Sequence, residues 1–257
     1  MDDFELYSKA LEKTGKLKEY LSKAKLFETQ LTLSTFNKEC NEKLIYKNSA
    51  VKPRQTFFDT IEGLEGTCKK CWSFYLSPRN KSIKGLDVQL GKQFELVIID
   101  FLNSVGIHAE KTKNRGEYPD ISVFDVSGKL IAFIELKYQS SPWLFAFKEE
   151  GTKRECYEGS PAVDIKKINQ QTELVLNGKI DVPIIYLFWL DFPCVKGLFH
   201  MELKELKSLL DSGSKVFERK LREGDVSEKG KKGQTSKIHP SISAMQPISS
   251  LIAKFGR

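Results

Sequence analysis

The segment from Pro119 to Tyr138 constrains this chain more than any other. DISVFDV (120–126) and KLIAFIELKY (129–138) are β-branched and aromatic runs flanking Ser127-Gly128. Two such runs around a short glycine-containing turn read as a β-hairpin. With Val126 opposite Lys129, the register sets Asp120 opposite Glu135, and Lys137 follows two residues on along the same face. Tyr118, Ser122, Phe124, Ile131 and Phe133 share that face; Ile121, Val123, Ala132, Ile134 and Leu136 take the other. Both faces are mostly apolar, so the hairpin is expected to be central and covered on both sides.

That register poses an electrostatic problem. Like charges opposed across a ladder destabilise it, and an apolar surround penalises the charged form further. A divalent cation would offset two carboxylates, since hard Mg²⁺ accepts one or two of them alongside waters and phosphate oxygens. The Lys137 ammonium would offset them too. A lysine in that place can orient an attacking water and stabilise charge developing on phosphorus.

The surrounding pattern supplies neighbours for the hairpin. From Asp87 to Val105, Leu90, Phe94, Val97, Ile98, Phe101 and Leu102 fall on one helical stripe, with Asp87 as N-cap and Gly106 as the stop. A first strand is expected near 107–113. Residues 161–177 read as a helix with Ser160 as N-cap and Pro161 at its first position. The apolar run VPIIYLFWL (182–190) suits a strand buried on both faces. Residues 4–33 read as amphipathic helix, 66–85 as a loop or short strand, 202–222 as helix and 224–237 as a polar basic linker. The tail from His239 is expected to dock.

Pro119-Asp120 followed by Glu135-Leu136-Lys137 resembles the PD-(D/E)XK nuclease superfamily, which includes most type II restriction endonucleases. The resemblance covers about residues 87–192. It implies a mixed α/β (α+β) fold: a restriction-endonuclease-like core with a central mixed sheet flanked by helices. Residues 1–86 would then form a mainly helical N-terminal region for DNA recognition or dimerisation, and 193–257 a C-terminal extension. The resemblance further implies Asp120 and Glu135 as metal ligands and Lys137 as the catalytic lysine. Glu95 is the matching acid on the first helix, and the Leu136 carbonyl is a further potential ligand. Mg²⁺ is the implied cofactor, with Mn²⁺ able to substitute, and double-stranded DNA the implied partner of a homodimer. A junction-resolving or repair nuclease, or a noncatalytic DNA-binding protein of the same fold, stays open beside the restriction enzyme.

Charge distribution fits an anionic partner. Lys and Arg number 41 against 34 Asp and Glu, for a net charge of +7. The excess gathers in three places: Lys69, Lys70, Arg79, Lys81 and Lys84; Lys111, Lys113 and Arg115; and Lys229, Lys231, Lys232 and Lys237. Lysines and arginines supply most nonspecific phosphate affinity. Gln139, on the face of Lys137, is a further candidate for DNA contact, and Gln170 and Gln171 for facing the site.

Other classes find little support. Cys68-Lys69-Lys70-Cys71 has half of a zinc-site spacing without a second pair, and Cys40, Cys156 and Cys194 are scattered, so free thiols are expected. The odd count of five cysteines suggests a reduced, cytoplasmic protein. Residues 85–92, GLDVQLGK, have one residue too many for a phosphate loop, and no nucleotide cofactor is expected. No apolar run approaches the ~18 residues of a membrane span, and the acidic, amphipathic start is unlike a signal peptide.

Overall fold

The computed structural model describes residues 1–15, 17, 20–21, 31–45, 54–76, 86–113, 116–144, 146, 155–218 and 236–256. A six-stranded mixed sheet forms its centre, in the order β1 (His108–Lys111), β2 (Ile121–Phe124), β3 (Leu130–Gln139), β5 (Ile184–Asp191), β6 (Lys196–Glu202) and β9 (Gln246–Pro247). β1, β2 and β3 form an antiparallel meander, while β3 and β5 run parallel. A parallel pair needs a crossover, and helix α6 (Ile165–Leu176) provides it. A second, small sheet joins β4 (Val163–Asp164), β8 (Ser236–Ile238) and β7 (Phe217–Glu218).

The hairpin keeps the expected register near the site, but by another route. The two-residue turn is replaced by a three-residue loop, because the Asp125 carboxylate accepts from the backbone of Ser127 and Lys129. Gly128 takes a φ of +80° there, the left-handed region that suits glycine. A bulge then inserts Ile131 between the pairs Phe124–Leu130 and Val123–Ala132. The two one-residue departures cancel, and Ile121 lies opposite Ile134. Ile131 is thereby turned onto the face of Ile121 and Val123, not that of Phe133.

Both sheet faces are covered. One packs against α1 (Asp3–Glu12), α5 (Leu86–Ser104) and α8 (Ile248–Phe255), through Leu6, Phe94, Ile98, Phe101 and Leu251. The other packs against α2 (Thr35–Leu44), α3 (Arg54–Thr60), α6 and α7 (Leu203–Asp211). Every residue of β5 is buried: Ile185, Leu187 and Trp189 serve the first face, Tyr186, Phe188 and Leu190 the second. Each large side chain so buried contributes about 1.5–3 kcal/mol. The docked tail is α8, whose Ser249 N–H donates to the Asp3 carboxylate at 3.0 Å. Among the described residues, no helix is long and apolar enough to cross a membrane.

Several boundaries move. α5 begins at Leu86, so Asp87 lies in its first turn; Gly106 closes it at φ +87°, as its position suggests. Residues 161–164 are not helical. β-branched Val163 pairs with Ile238, Asp164 becomes the N-cap of α6, and Ser160 bonds the Cys156 carbonyl instead. Leu64–Leu76, expected as loop or strand, is helix α4, with Leu64, Cys68 and Cys71 spaced along one face. The sheet continues past residue 192 into β6, and helix after Glu202 stops at Asp211.

The β5–β6 turn holds an ion pair with both side chains fully buried, Asp191 and Lys196. Asp191 also accepts from the Leu31 N–H at 3.0 Å and the Tyr138 hydroxyl at 3.2 Å. Removing one member strands the other. Asp191→Ala is expected to lower unfolding free energy by about 3–5 kcal/mol, whereas Asp191→Asn with Lys196→Met, which keeps an acceptor for Leu31 and Tyr138, recovers most of the loss. Urea unfolding of the two variants checks this.

Candidate active site

The β2–β3 ladder ends at Ile121, and Asp120 follows. Its carboxylate takes the next β3 amide: the Leu136 N–H donates to Asp120 Oδ2 at 2.9 Å. Glu135 is the adjacent β3 residue and is only 3% exposed. One oxygen accepts from Lys137 Nζ at 2.7 Å, and the other from Gln171 Nε2 at 2.8 Å. Tyr186, opposite Glu135 on β5, donates its hydroxyl to Gln171 Oε1 at 2.7 Å. Burial first, then the carboxylates of Glu135, Asp164 and Asp120, push the Tyr186 hydroxyl above its ordinary pKa. It therefore stays protonated and fixes the Gln171 amide with its N–H₂ toward Glu135.

Helix α6 contributes a second residue one turn before Gln171. Lys167 Nζ lies 3.4 Å from Glu135 Oε2 and donates to the carbonyls of Tyr118 at 3.3 Å and Gly116 at 3.4 Å. Of the two glutamines considered on this helix, Gln171 is the one that meets Glu135. Lys167 was not anticipated. Its signal was the i, i+4 relation to Gln171, which puts both on one helix face.

Glu95 follows Phe94, which is fully buried and stacks on Tyr138 at 3.8 Å between ring centroids. That contact fixes the helix rotation and sends Glu95 to the rim, where it forms a 2.6 Å ion pair with Lys111 of β1. Glu95, Lys111, Tyr118, Asp120 and Lys167 line one cleft of about 180 Å³. Asp120 is the poorly compensated member. Burial first and the Glu135 charge second raise its pKa from 3.8 to about 6, against the lowering effects of the Leu136 N–H and Lys137. Lys137 is raised as well: burial disfavours its charge, but Glu135 and Asp120 outweigh that. It is an ammonium near neutrality.

The donors available for a cation are hard carboxylate oxygens, which suit Mg²⁺ or Mn²⁺. Among the described residues no three carboxylate, thiol or imidazole groups converge on one ion position. That arrangement fits a metal held by one or two carboxylates and completed by water and substrate oxygens. Asp120 and Glu135 would hold it, with Glu95 and the Leu136 carbonyl in reserve.

The candidate DNA contacts divide. Lys111 stands at the cleft and Lys113 is exposed beside it. Lys69 and Lys70 are exposed on α4, with Lys69 bound to Glu65 at 2.8 Å. Lys237 lies in β8, 3.3 Å from Asp164. Gln139 exchanges two hydrogen bonds of 2.9 Å with the backbone of Ala162, which occupy both ends of its amide. Arg79, Lys81, Lys84, Arg115, Lys229, Lys231 and Lys232 lie outside the described residues.

No protein-family model matches the sequence, and no curated protein matches it. Among solved structures, the chain is similar to Archaeoglobus fulgidus Hjc, described as a Holliday junction resolvase from an archaeal hyperthermophile. The two are 14% identical over 63% of this chain and 98% of that one, with a TM-score of 0.34. An overlap that loose carries neither a fold nor a function across.

Two outcomes follow for stability. The folded chain holds a proton on Asp120 that the unfolded chain has released, so this group's contribution falls as pH rises from about 4 to about 6. Asp120→Asn keeps an acceptor for Leu136 and removes the charge. In chelator-treated protein it is expected to add about 1 kcal/mol at pH 8, a value discounted for the solvent that reaches this residue, and the gain should shrink toward pH 4. Gln171→Leu orphans the Tyr186 hydroxyl and leaves one Glu135 oxygen with only the 3.4 Å contact to Lys167, and should cost about 1–3 kcal/mol. Urea unfolding across pH reads both.

Proposed function

We propose that this protein is a divalent-metal-dependent endonuclease of the PD-(D/E)XK type that hydrolyses phosphodiester bonds in double-stranded DNA. The observation that carries this reading is the placement of Asp120, Glu135 and Lys137 at the end of adjacent strands, beside a cleft edged by two further lysines. Structural charges in a sheet are usually paired off. Here a raised carboxyl is left facing a cleft, a common mark of a site that awaits a cation.

When bound, the metal supplies positive charge that offsets the carboxylates and polarises a phosphate oxygen and a water. The remaining work belongs to the chain. Asp120, fixed by the Leu136 amide, and Glu135, fixed by Gln171 and Lys137, are held before substrate arrives, so little reorganisation is needed. Lys137, as an ammonium, donates hydrogen bonds and stabilises charge on the attacked phosphate; it does not abstract a proton. Lys111 and Lys167, which both line the cleft, are suited to hold the flanking phosphates. Asp120 must lose its proton to serve, so cutting should rise from pH 5 to pH 7.

The finer reading is a cytoplasmic type II restriction endonuclease that acts as a homodimer, each copy cutting one strand at a twofold site. Its support is the appended α4, whose Tyr75 hydroxyl donates to the Ser140 carbonyl at 2.5 Å, just beyond the end of β3. A lysine-bearing helix tied there stands near the end of the strand that carries Glu135 and Lys137, where a readout element would be useful.

Incubation with phage DNA and Mg²⁺ tests this. Discrete fragments are the expected result. Cleavage confined to branched DNA would replace restriction with junction resolution, and absence of cleavage under Mg²⁺ or Mn²⁺ would overturn the enzyme. Lys137→Ala should lower the cutting rate by about 100-fold or more while DNA binding persists.

A further inference from the structure

Cys68, Cys71, Cys156 and Cys194 are spread over 127 positions of the sequence, yet all four line a single cavity of about 380 Å³. Cys68 and Cys71 are one turn apart on α4 and so project from one side of it. Cys156 comes from the segment between β3 and β4, and Cys194 from the β5–β6 turn, which the Phe192–Val195 backbone bond closes at 3.0 Å. Three separate pieces of chain thus deliver thiols to one place. None of them is in a disulfide. The fifth cysteine, Cys40, is buried nearby but does not line the cavity.

We propose that these four cysteines form a binding site for an iron–sulfur cluster, separate from the carboxylate cleft. The ligand type matches, since four cysteine thiolates are the usual protein ligands of [4Fe–4S] centres. Size decides between a cluster and a lone zinc ion. Four thiolates on one zinc, each at about 2.3 Å, would bring the sulfurs nearly into contact. Among the described residues no three such donors converge on a single-ion position. The four cysteines instead line a cavity of about 380 Å³, which has room for a polynuclear centre.

The walls fit the charge and polarity of such a group. A four-thiolate cluster is an anion, and cations that donate hydrogen bonds to its sulfurs stabilise it. The Arg54 guanidinium lines the cavity and donates to Cys156 Sγ at 3.5 Å, while Lys69 stands at the same wall. Phe58, Trp72, Pro142 and Leu144 supply apolar cover. In the metal-free chain burial holds these thiols neutral, with Cys68 pushed up to about 12. Loading with two ferrous ions, two ferric ions and four sulfides displaces the four thiol protons to solvent and leaves a cluster of net charge −2, and the metal charge offsets the cost of burying thiolates. Once formed, the cluster would join α4 to the segment after β3 and to the β5–β6 turn. It would therefore hold α4 in its place beside Ser140, as a structural tie and not as a participant in hydrolysis.

Anaerobic purification of the full chain, with reconstitution by equal parts of ferrous and ferric iron together with sulfide, tests the proposal. The expected result is about four iron and four sulfide per chain, a visible sulfur-to-iron charge-transfer absorption, and protection of four of the five cysteines from alkylation. Cys156→Ser and Cys71→Ser should lose the absorption, and Cys40→Ala should keep it. Because a cysteine variant can fail to fold, the wild-type measurement decides independently. Folded wild-type protein that takes up no iron and sulfide overturns the proposal. So does zinc bound in their place, or a cluster that survives Cys156→Ser. None of these readouts involves DNA cleavage.

Discussion

A glutamate carboxylate at the centre of an apolar sheet must be fully satisfied, and Glu135 sets that requirement for the rest of the molecule. An uncompensated charge there would cost more than a typical domain can absorb. Lys137 serves one oxygen, Gln171 and Lys167 the other, and Tyr186 locks Gln171 from behind. Two of these partners lie on α6 and one on β5. The parallel β3–α6–β5 crossover is therefore tied to the carboxylate as well as to its own hydrophobic packing. Phe94 against Tyr138 and Trp189 does the equivalent work on the other face and fixes α5.

The compensation stops at Glu135. Asp120 receives one backbone amide and sits between two further carboxylates, so it carries the strain that the neighbouring network avoids. The cleft beside it is rimmed by lysines that already have partners, Glu95 for Lys111 and carbonyls with Glu135 for Lys167. A satisfied carboxylate next to an unsatisfied one would suit the proposed cation site: the first would position the ion and the second attract it. Local instability of this kind is commonly stored at functional sites and supported by the surrounding fold.

What the sequence made legible follows the range of the interactions involved. The hairpin faces and the double-sided burial of β5 are written in short periodicities, and both appear as expected except for Ile131, which the bulge moves to the other face. The Asp120–Glu135–Lys137 grouping depends only on that register, which survived because the Asp125 loop and the Ile131 bulge compensate each other. The Leu64, Cys68, Cys71 spacing that makes α4 a helix is short and lies among the basic residues of 66–85, so the apolar stripe is weak. Ser160-Pro161 looks like a helix start, but Val163 has a strand partner more than seventy residues away in β8. Lys167 and Gln171 acquire their roles only when α6 crosses Glu135. The meeting of four cysteines likewise depends on which turns the fold brings together, which no local pattern reports.

The central claim is that Asp120 and Glu135 are kept as a cation site before any DNA arrives. Titration of the DNA-free protein with Mn²⁺, followed by the loss of free-ion electron paramagnetic resonance signal, measures this directly. The account predicts that binding strengthens as pH rises from 5 to 7 and that Asp120→Asn weakens it strongly while the fold is kept. Equal binding by the wild-type and Asp120→Asn proteins, or no binding by the wild type at pH 7, would contradict it.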